Sequence, residues 1–139
     1  MNKQTVSVDH ISFNVRNFSE SARWYQEVFG FEKVEEGMEK DGPWGILRAD
    51  DTMLCIYENP SLTDPRSGPE IEKLHHIYHF GMRVHDRAKW EATVKERNLR
   101  VHYGGPVRYP HSTSWYVKDP TGHMIEVAFW DGNQVSFTS

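Results

Sequence analysis

A chain of 139 residues with 37% hydrophobic and 26% charged side chains suits one soluble globular domain, or two small halves sharing a core. A net charge of -4, without a basic cluster, argues against nucleic acid and anionic membrane as partners, and no apolar stretch is long enough to span a bilayer. The single cysteine, Cys55, excludes an internal disulfide, and with no apolar leader at the start of the sequence it points to a reducing, cytoplasmic compartment.

In chain order, "VDHISFNV" alternates as a strand, with Ile11, Phe13 and Val15 on one face and His10, Ser12 and Asn14 on the other. Asn17 followed three residues later by Glu20 reads as a capping box. The segment "SESARWYQEVF" then predicts a helix with Ala22, Tyr25, Val28 and Phe29 near one face, stopped at Gly30. Three strands are expected around "FEKVEEG", "WGILRA" and "MLCIYE". The stretch "NPSLTDPRSGPEIEK", rich in Pro, Gly, Ser and charge, reads as a linker.

The order then repeats. "HFGMRVHD" matches "HISFNVRN" in the pattern H-x-x-x-x-V-x-[ND]. It predicts a strand with Phe80, Met82 and Val84 on one face and His79, Gly81 and Arg83 on the other. Asp86 is the expected N-cap of "RAKWEATVKERN", which Asn98 can end, and strands are expected at "RVHY", "TSWYVK" and "HMIEVAFW". In the last strand Ile125, Val127 and Phe129 form the apolar face, which leaves Glu126 opposite with Met124, Ala128 and Trp130. Alternation also groups Ser114, Tyr116 and Lys118.

A bare carboxylate beside a buried sheet face costs several kcal/mol unless it is paired. Two imidazoles, His10 and His79, stand at the head of the first strand of each half, and a divalent cation shared by them and Glu126 removes that cost. Two His and one carboxylate, with positions left open for water or substrate, form a recurring catalytic metal site. Glu126 lies 47 residues beyond His79 and Cys55 lies 45 beyond His10, so Cys55 takes in the first half the place of Glu126 in the second. We read Cys55 as a lining residue, since a buried free thiol is usually packing. Tyr116, directed with Glu126, is the candidate proton donor or acid/base, while His102 and His111 read as surface residues.

The stretches "VDHISFNVRNFSESARWYQEVFGFE", "HFGMRVHD" and "WYVKDPTGHMIEV" resemble the vicinal oxygen chelate superfamily, also called glyoxalase/bleomycin resistance/dioxygenase. The resemblance implies an α+β fold. Two βαβββ modules in pseudo-two-fold arrangement would form a curled mixed sheet around a metal or ligand cleft. It implies a single domain of this type over 1–139, with module 1 at about 6–60, a linker at about 61–74 and module 2 at about 75–131. It implies one divalent metal ion (Fe, Mn, Zn or Ni) on His10, His79 and Glu126, catalysis aided by Tyr116, and a cleft lined by Ser12, Cys55, Tyr57, Arg83, Ser114 and Trp115. A small-molecule substrate with vicinal oxygens and a homodimer are implied as well.

Three subtypes remain open. Tyr116, Asp119, Pro120, Gly122 and Glu126 satisfy the Y-x-x-D-P-x-G-x-x-x-E pattern of extradiol dioxygenases. "DHISFNV" and "GHMIEV" are similar to glyoxalase I, which has a Glu where this chain has Cys55. "LCI" with Ser114 and Tyr116 is similar to fosfomycin-resistance thiol transferases, although Arg108 is the only basic residue in "GGPVRYP". The rival reading is a metal-free binding or sequestering protein of the bleomycin-resistance kind, with Trp44, Tyr57, Tyr109 and Trp115 as stacking walls.

Overall fold

A computed structural model describes residues 8–40, 42–62, 77–133 and 135–136. The chain divides into two compact units, Met1–Thr63 and Asp64–Ser139. Most of the expected linker, with His75 and His76, lies outside the described residues.

In the first unit, β1 (Ile11–Val15) leads into α1 (Phe18–Phe29), followed by β2 (Glu32–Glu39), β3 (Gly42–Ala49) and β4 (Thr52–Glu58). The strand order is β1-β4-β3-β2, with β1 parallel to β4 and the other pairs antiparallel. Asn17 caps the helix, its Oδ1 accepting from the Glu20 amide at 2.9 Å, which is one of the two bonds of the expected capping box. Glu58 adds a carboxylate at the positive end of the helix, accepting from the Phe18 amide at 2.9 Å. At the other end Gly30 takes φ 77°, and its N–H donates to the Gln26 carbonyl at 3.0 Å.

Helix α1 buries Phe18, Ser21, Tyr25 and Val28, so Ser21 joins the expected apolar face and Ala22 and Phe29 sit at its margin. Tyr25 is fully buried between the rings of Phe13 and Phe31, each 6.0 Å away. Close approach of α1 to the sheet depends on Gly45, where a Cβ would lie 2.6 Å from Phe18 Cζ. Strand β2 forms a sheet edge; its charged residues and a register shift between Lys33 and Glu35 suit an edge that must not recruit other strands.

The second unit repeats the plan: β5 (Phe80–Arg83), α2 (Arg87–Glu96), β6 (Val107–Arg108), β7 (Ser112–Lys118) and β8 (Met124–Trp130), ordered β5-β8-β7-β6. Again the first and last strands pair in parallel. Asp86 caps α2 by accepting from the Lys89 amide at 3.0 Å, and Asn98 at φ 50° follows its end. Ile125, Val127 and Val117 are buried with Trp115 and Trp90. Both units are therefore α+β, each a βαβββ arrangement of mixed sheet and one helix among the described residues.

One expected strand is not formed. "RVHY" is coil and turn, because Tyr103, Gly104 and Gly105 hold φ of 62°, 79° and 115°, which no strand accommodates. The edge strand moves to Val107–Arg108, and a single bond from the His102 amide to the Tyr116 carbonyl, 2.8 Å, remains along β7.

The turn before β8 is held by Asp119, which is 4% exposed. Its Oδ1 accepts from the amides of Thr121, Gly122 and His123 at 2.9, 2.8 and 2.8 Å. Asp119→Ala leaves these donors without that acceptor and is expected to cost about 3 kcal/mol in urea unfolding, with Asp119→Asn intermediate. A loss under about 0.5 kcal/mol for the alanine variant would show that the turn holds itself.

Candidate functional site

Pairing in the second unit sets Gly81 opposite Glu126 and Glu126 opposite Tyr116 across three adjacent strands. His79, two residues before Gly81, reaches the same place: its Nε2 lies 3.6 Å from Glu126 Oε1. The two side chains keep 27% and 14% of their surface. Tyr116, in the central row of this group, is 7% exposed and its hydroxyl donates to Glu126 Oε1.

Hydrogen-bond bookkeeping fixes the direction of a longer chain. A carboxylate only accepts, so the Tyr116 proton lies toward Glu126. The Tyr109 hydroxyl, 2.8 Å from that of Tyr116, must then be the donor between the two phenols. Burial, followed by the bonds to Glu126 and Tyr109, raises the Tyr116 pKa well above the usual phenol range. Tyr116 is accordingly a neutral donor at physiological pH. Around it stand His79, edge-on at 5.8 Å, and Tyr103, edge-on at 5.1 Å, with Tyr78 against His79 at 4.8 Å.

Two neighbouring polar groups lack a partner among the described residues. His79 Nδ1 is buried without a hydrogen bond, and so is the hydroxyl of Ser114, which is fully buried. Arg83 lies over the Trp130 ring at 5.7 Å. Trp115 differs from the expectation of a cleft-lining residue: strand alternation turns it to the face opposite Tyr116, where it is 2% exposed beneath Arg87, 5.4 Å from its ring. Arg108 is engaged by both oxygens of Asp131, NH1 to Oδ1 at 2.8 Å and NH2 to Oδ2, which occupies its fork.

In the first unit the equivalent pairing is Ser12 with Cys55. Each histidine thus stands two residues before the partner of the residue in the last strand of its half, which places Cys55 and Glu126 in equivalent positions. Cys55 is buried at 9% exposure, Ser12 is exposed, and Tyr57 stacks with Trp44 at 6.3 Å. His10 is part-exposed, and its Nδ1 lies 2.8 Å from Asp9 Oδ2. Because the carboxylate can only accept, Nδ1 carries the proton, and in the neutral ring Nε2 is left as a lone-pair donor.

The structure therefore brings His79, Glu126 and Tyr116 together and sets His10 in the other unit beside Asp9. Among the described residues no group of three or more His, Cys, Asp and Glu gathers to hold a metal ion. The His79–Glu126 pair itself fits one: two ligand atoms that each bind a common ion at about 2.0–2.2 Å can stand 3.6 Å apart. The imidazole–carboxylate donor set suits Zn, Mn, Fe or Ni. Sequence reasoning did not reach Asp9 or the orienting role of Tyr109; the first is signalled only by its place next to His10, and the second by nothing in the spacing.

The profile of the Glyoxalase/Bleomycin resistance protein/Dioxygenase superfamily matches residues 7–127. The chain belongs to that superfamily. Among proteins of known activity it is similar to metallothiol transferase FosB of Staphylococcus epidermidis (strain ATCC 12228 / FDA PCI 1200). They are 24% identical over 124 residues, which cover 89% of this chain and 82% of FosB. Its fold is shared with a glyoxylase/bleomycin resistance protein/dioxygenase domain from Frankia sp. EAN1pec, at a TM-score of 0.77 and 15% identity over 94% of this chain and 96% of that one. Lactoylglutathione lyase from Agrobacterium tumefaciens aligns with a TM-score of 0.65 and 20% identity, covering 91% and 96% of the two chains. The superfamily contains both enzymes and binding proteins, so activity has to be argued from the site.

The raised Tyr116 pKa gives a test with a definite sign. A group whose folded pKa exceeds its unfolded value contributes stability that is present below the unfolded pKa, about 10 for tyrosine, and is lost as pH rises beyond it. Tyr116→Phe is expected to leave the phenolate absorbance step near pH 10 unchanged and to flatten the fall in stability above it. Loss of one tyrosine's share of that step would show Tyr116 to be an ordinary phenol.

Proposed function

We propose that the protein is a divalent-metal-dependent enzyme acting on a small substrate with two adjacent oxygens. The observation that carries this reading is the His79 Nε2–Glu126 Oε1 approach of 3.6 Å on a part-buried strand row. His79 and Glu126 would hold the ion, and His10, its Nδ1 turned to Asp9, is kept as the further ligand that the family resemblance implies. A bound divalent cation supplies Lewis acidity that draws the substrate oxygens and stabilises developing negative charge.

The residues of this chain do the rest. Tyr109 holds Tyr116, and Tyr116 holds Glu126, so the carboxylate enters any ligand set already oriented. Tyr116, kept neutral, serves as a hydrogen-bond donor and not as a base. Arg83 and the hydroxyl of Ser114 belong to strand rows next to Glu126 and are polar groups suited to a substrate; Ser12, Cys55 and Tyr57 line the equivalent face of the first unit. Trp115, turned to the other face, is not assigned to the substrate.

Likeness to a metallothiol transferase supports transfer of a thiol to an electrophilic small molecule, which stands beside ring-cleaving dioxygenation and glyoxalase or lyase reactions. The absence of a Glu at Cys55 weighs against a four-ligand glyoxalase site. In this reading the enzyme works as a cytoplasmic homodimer. The hydrogen bond from Tyr116 to Glu126 favours a second reading, because it offsets part of the cost of the buried carboxylate without any ion. That reading is a metal-free protein that binds and sequesters a small molecule.

Metal analysis of untagged protein separates the two. About one equivalent of divalent metal per chain is expected, with affinity weakened more than 100-fold in His79→Ala, Glu126→Ala and His10→Ala. Tyr109→Phe, which removes only an outer hydrogen bond, is expected to weaken it about 10-fold. Micromolar metal binding undisturbed by His79→Ala and Glu126→Ala would end the proposal. Small-molecule binding that survives exhaustive chelation would establish the binder.

A further inference from the structure

Away from Glu126, the loop that follows α2 and the end of β7 line an open pocket of about 260 Å³ formed by Leu99, Arg100, His102, Val117 and Lys118. Leu99 and Val117 are its apolar residues, and its three polar groups are all cations or potential cations. No carboxylate lines it. None of the three side chains has a hydrogen-bond or ion-pair partner among the described residues. The nearest acid in sequence, Asp119, is committed to the amides of Thr121, Gly122 and His123. In a chain of net charge -4, an Arg and a Lys gathered about an imidazole with no acid among the lining residues are out of balance locally.

The imbalance is felt by His102. Burial first, then the charges of Lys118 and Arg100, lower its pKa, and no acidic group acts in the other direction. An imidazole disfavoured as a cation by two neighbouring cations becomes favoured as one when an anion is seated among them. Arg100 offers a planar fork and Lys118 a compact ammonium, the two donor types that hold oxyanions. The volume falls below the range of about 300–1,000 Å³ typical of drug-sized ligands, which suits a small ion with some of its water.

We propose that Arg100, His102 and Lys118 form a seat for a phosphate-like oxyanion. It lies outside the His79–Glu126 group and does not depend on the metal-enzyme reading. The seat is joined to that group by one backbone bond, from the His102 amide to the Tyr116 carbonyl at 2.8 Å.

The test is an NMR titration of the histidine ring protons with inorganic phosphate, against chloride at matched ionic strength, with His102 assigned by loss of its signal in His102→Asn. Phosphate is expected to raise the His102 midpoint beyond the change chloride produces, by selective binding of the protonated ring. Arg100→Gln and Lys118→Gln are each expected to weaken phosphate binding about 10-fold, the loss of one charge-assisted hydrogen bond. Methyl phosphate run in parallel distinguishes the source: equal binding identifies the phosphoryl end of a larger molecule, and binding of inorganic phosphate alone identifies the free ion. Equal shifts in chloride and phosphate, or a His102 midpoint that phosphate leaves in place, would overturn the proposal. These wild-type arms stand even where Arg100→Gln or Lys118→Gln fails to fold.

Discussion

The parallel pairing of β5 with β8 is the constraint on which the rest of the second unit depends. Parallel neighbours cannot be joined by a tight turn, so α2, β6 and β7 must lie between them in sequence. The register, Phe80 with Ile125 and Gly81 with Glu126, is set by burial. Ile125 and Val127 are fully buried, and a slip of one residue would bring Glu126 into their place. The apolar face therefore decides where the carboxylate stands.

The first unit uses the same pairing with different chemistry. Ser12 and Cys55 fill the positions of Gly81 and Glu126. A buried thiol needs little from its surroundings, whereas a part-buried carboxylate needs donors. This difference accounts for the asymmetry of the polar networks. Glu126 gathers Tyr116 and His79, with Tyr109 behind Tyr116, while among the described residues Cys55 has its packing and its strand neighbours. A duplicated scaffold thus supports one charged position and one neutral one without a change in backbone plan.

Much of the fold was legible because its signals are local. Alternation located seven of the eight strands, and Asn17 and Asp86 located both helix starts, since a capping side chain needs only the amide three residues on. The exception was "RVHY", where consecutive left-handed residues at Tyr103, Gly104 and Gly105 override a β-prone composition. Gly-Gly was visible as a turn signal, but the involvement of Tyr103 was not. Strand parity also placed Trp115 with the core, and the expectation that it lines the cleft ignored that parity.

The sequence by itself determined the two βαβββ units, the face to which each strand residue turns, and the equivalence of Cys55 with Glu126. These follow from periodicity and the backbone's own geometry, which neighbours in sequence suffice to set. Only the tertiary structure decided that Tyr109 stands behind Tyr116, that Asp9 orients His10, that Asp131 engages Arg108, and that Arg100 and Lys118 gather about His102 with no acid among the lining residues. Those relations depend on side-chain reach across strands and loops. Distances of 3 to 4 Å between groups remote in the chain are fixed by packing, not by spacing.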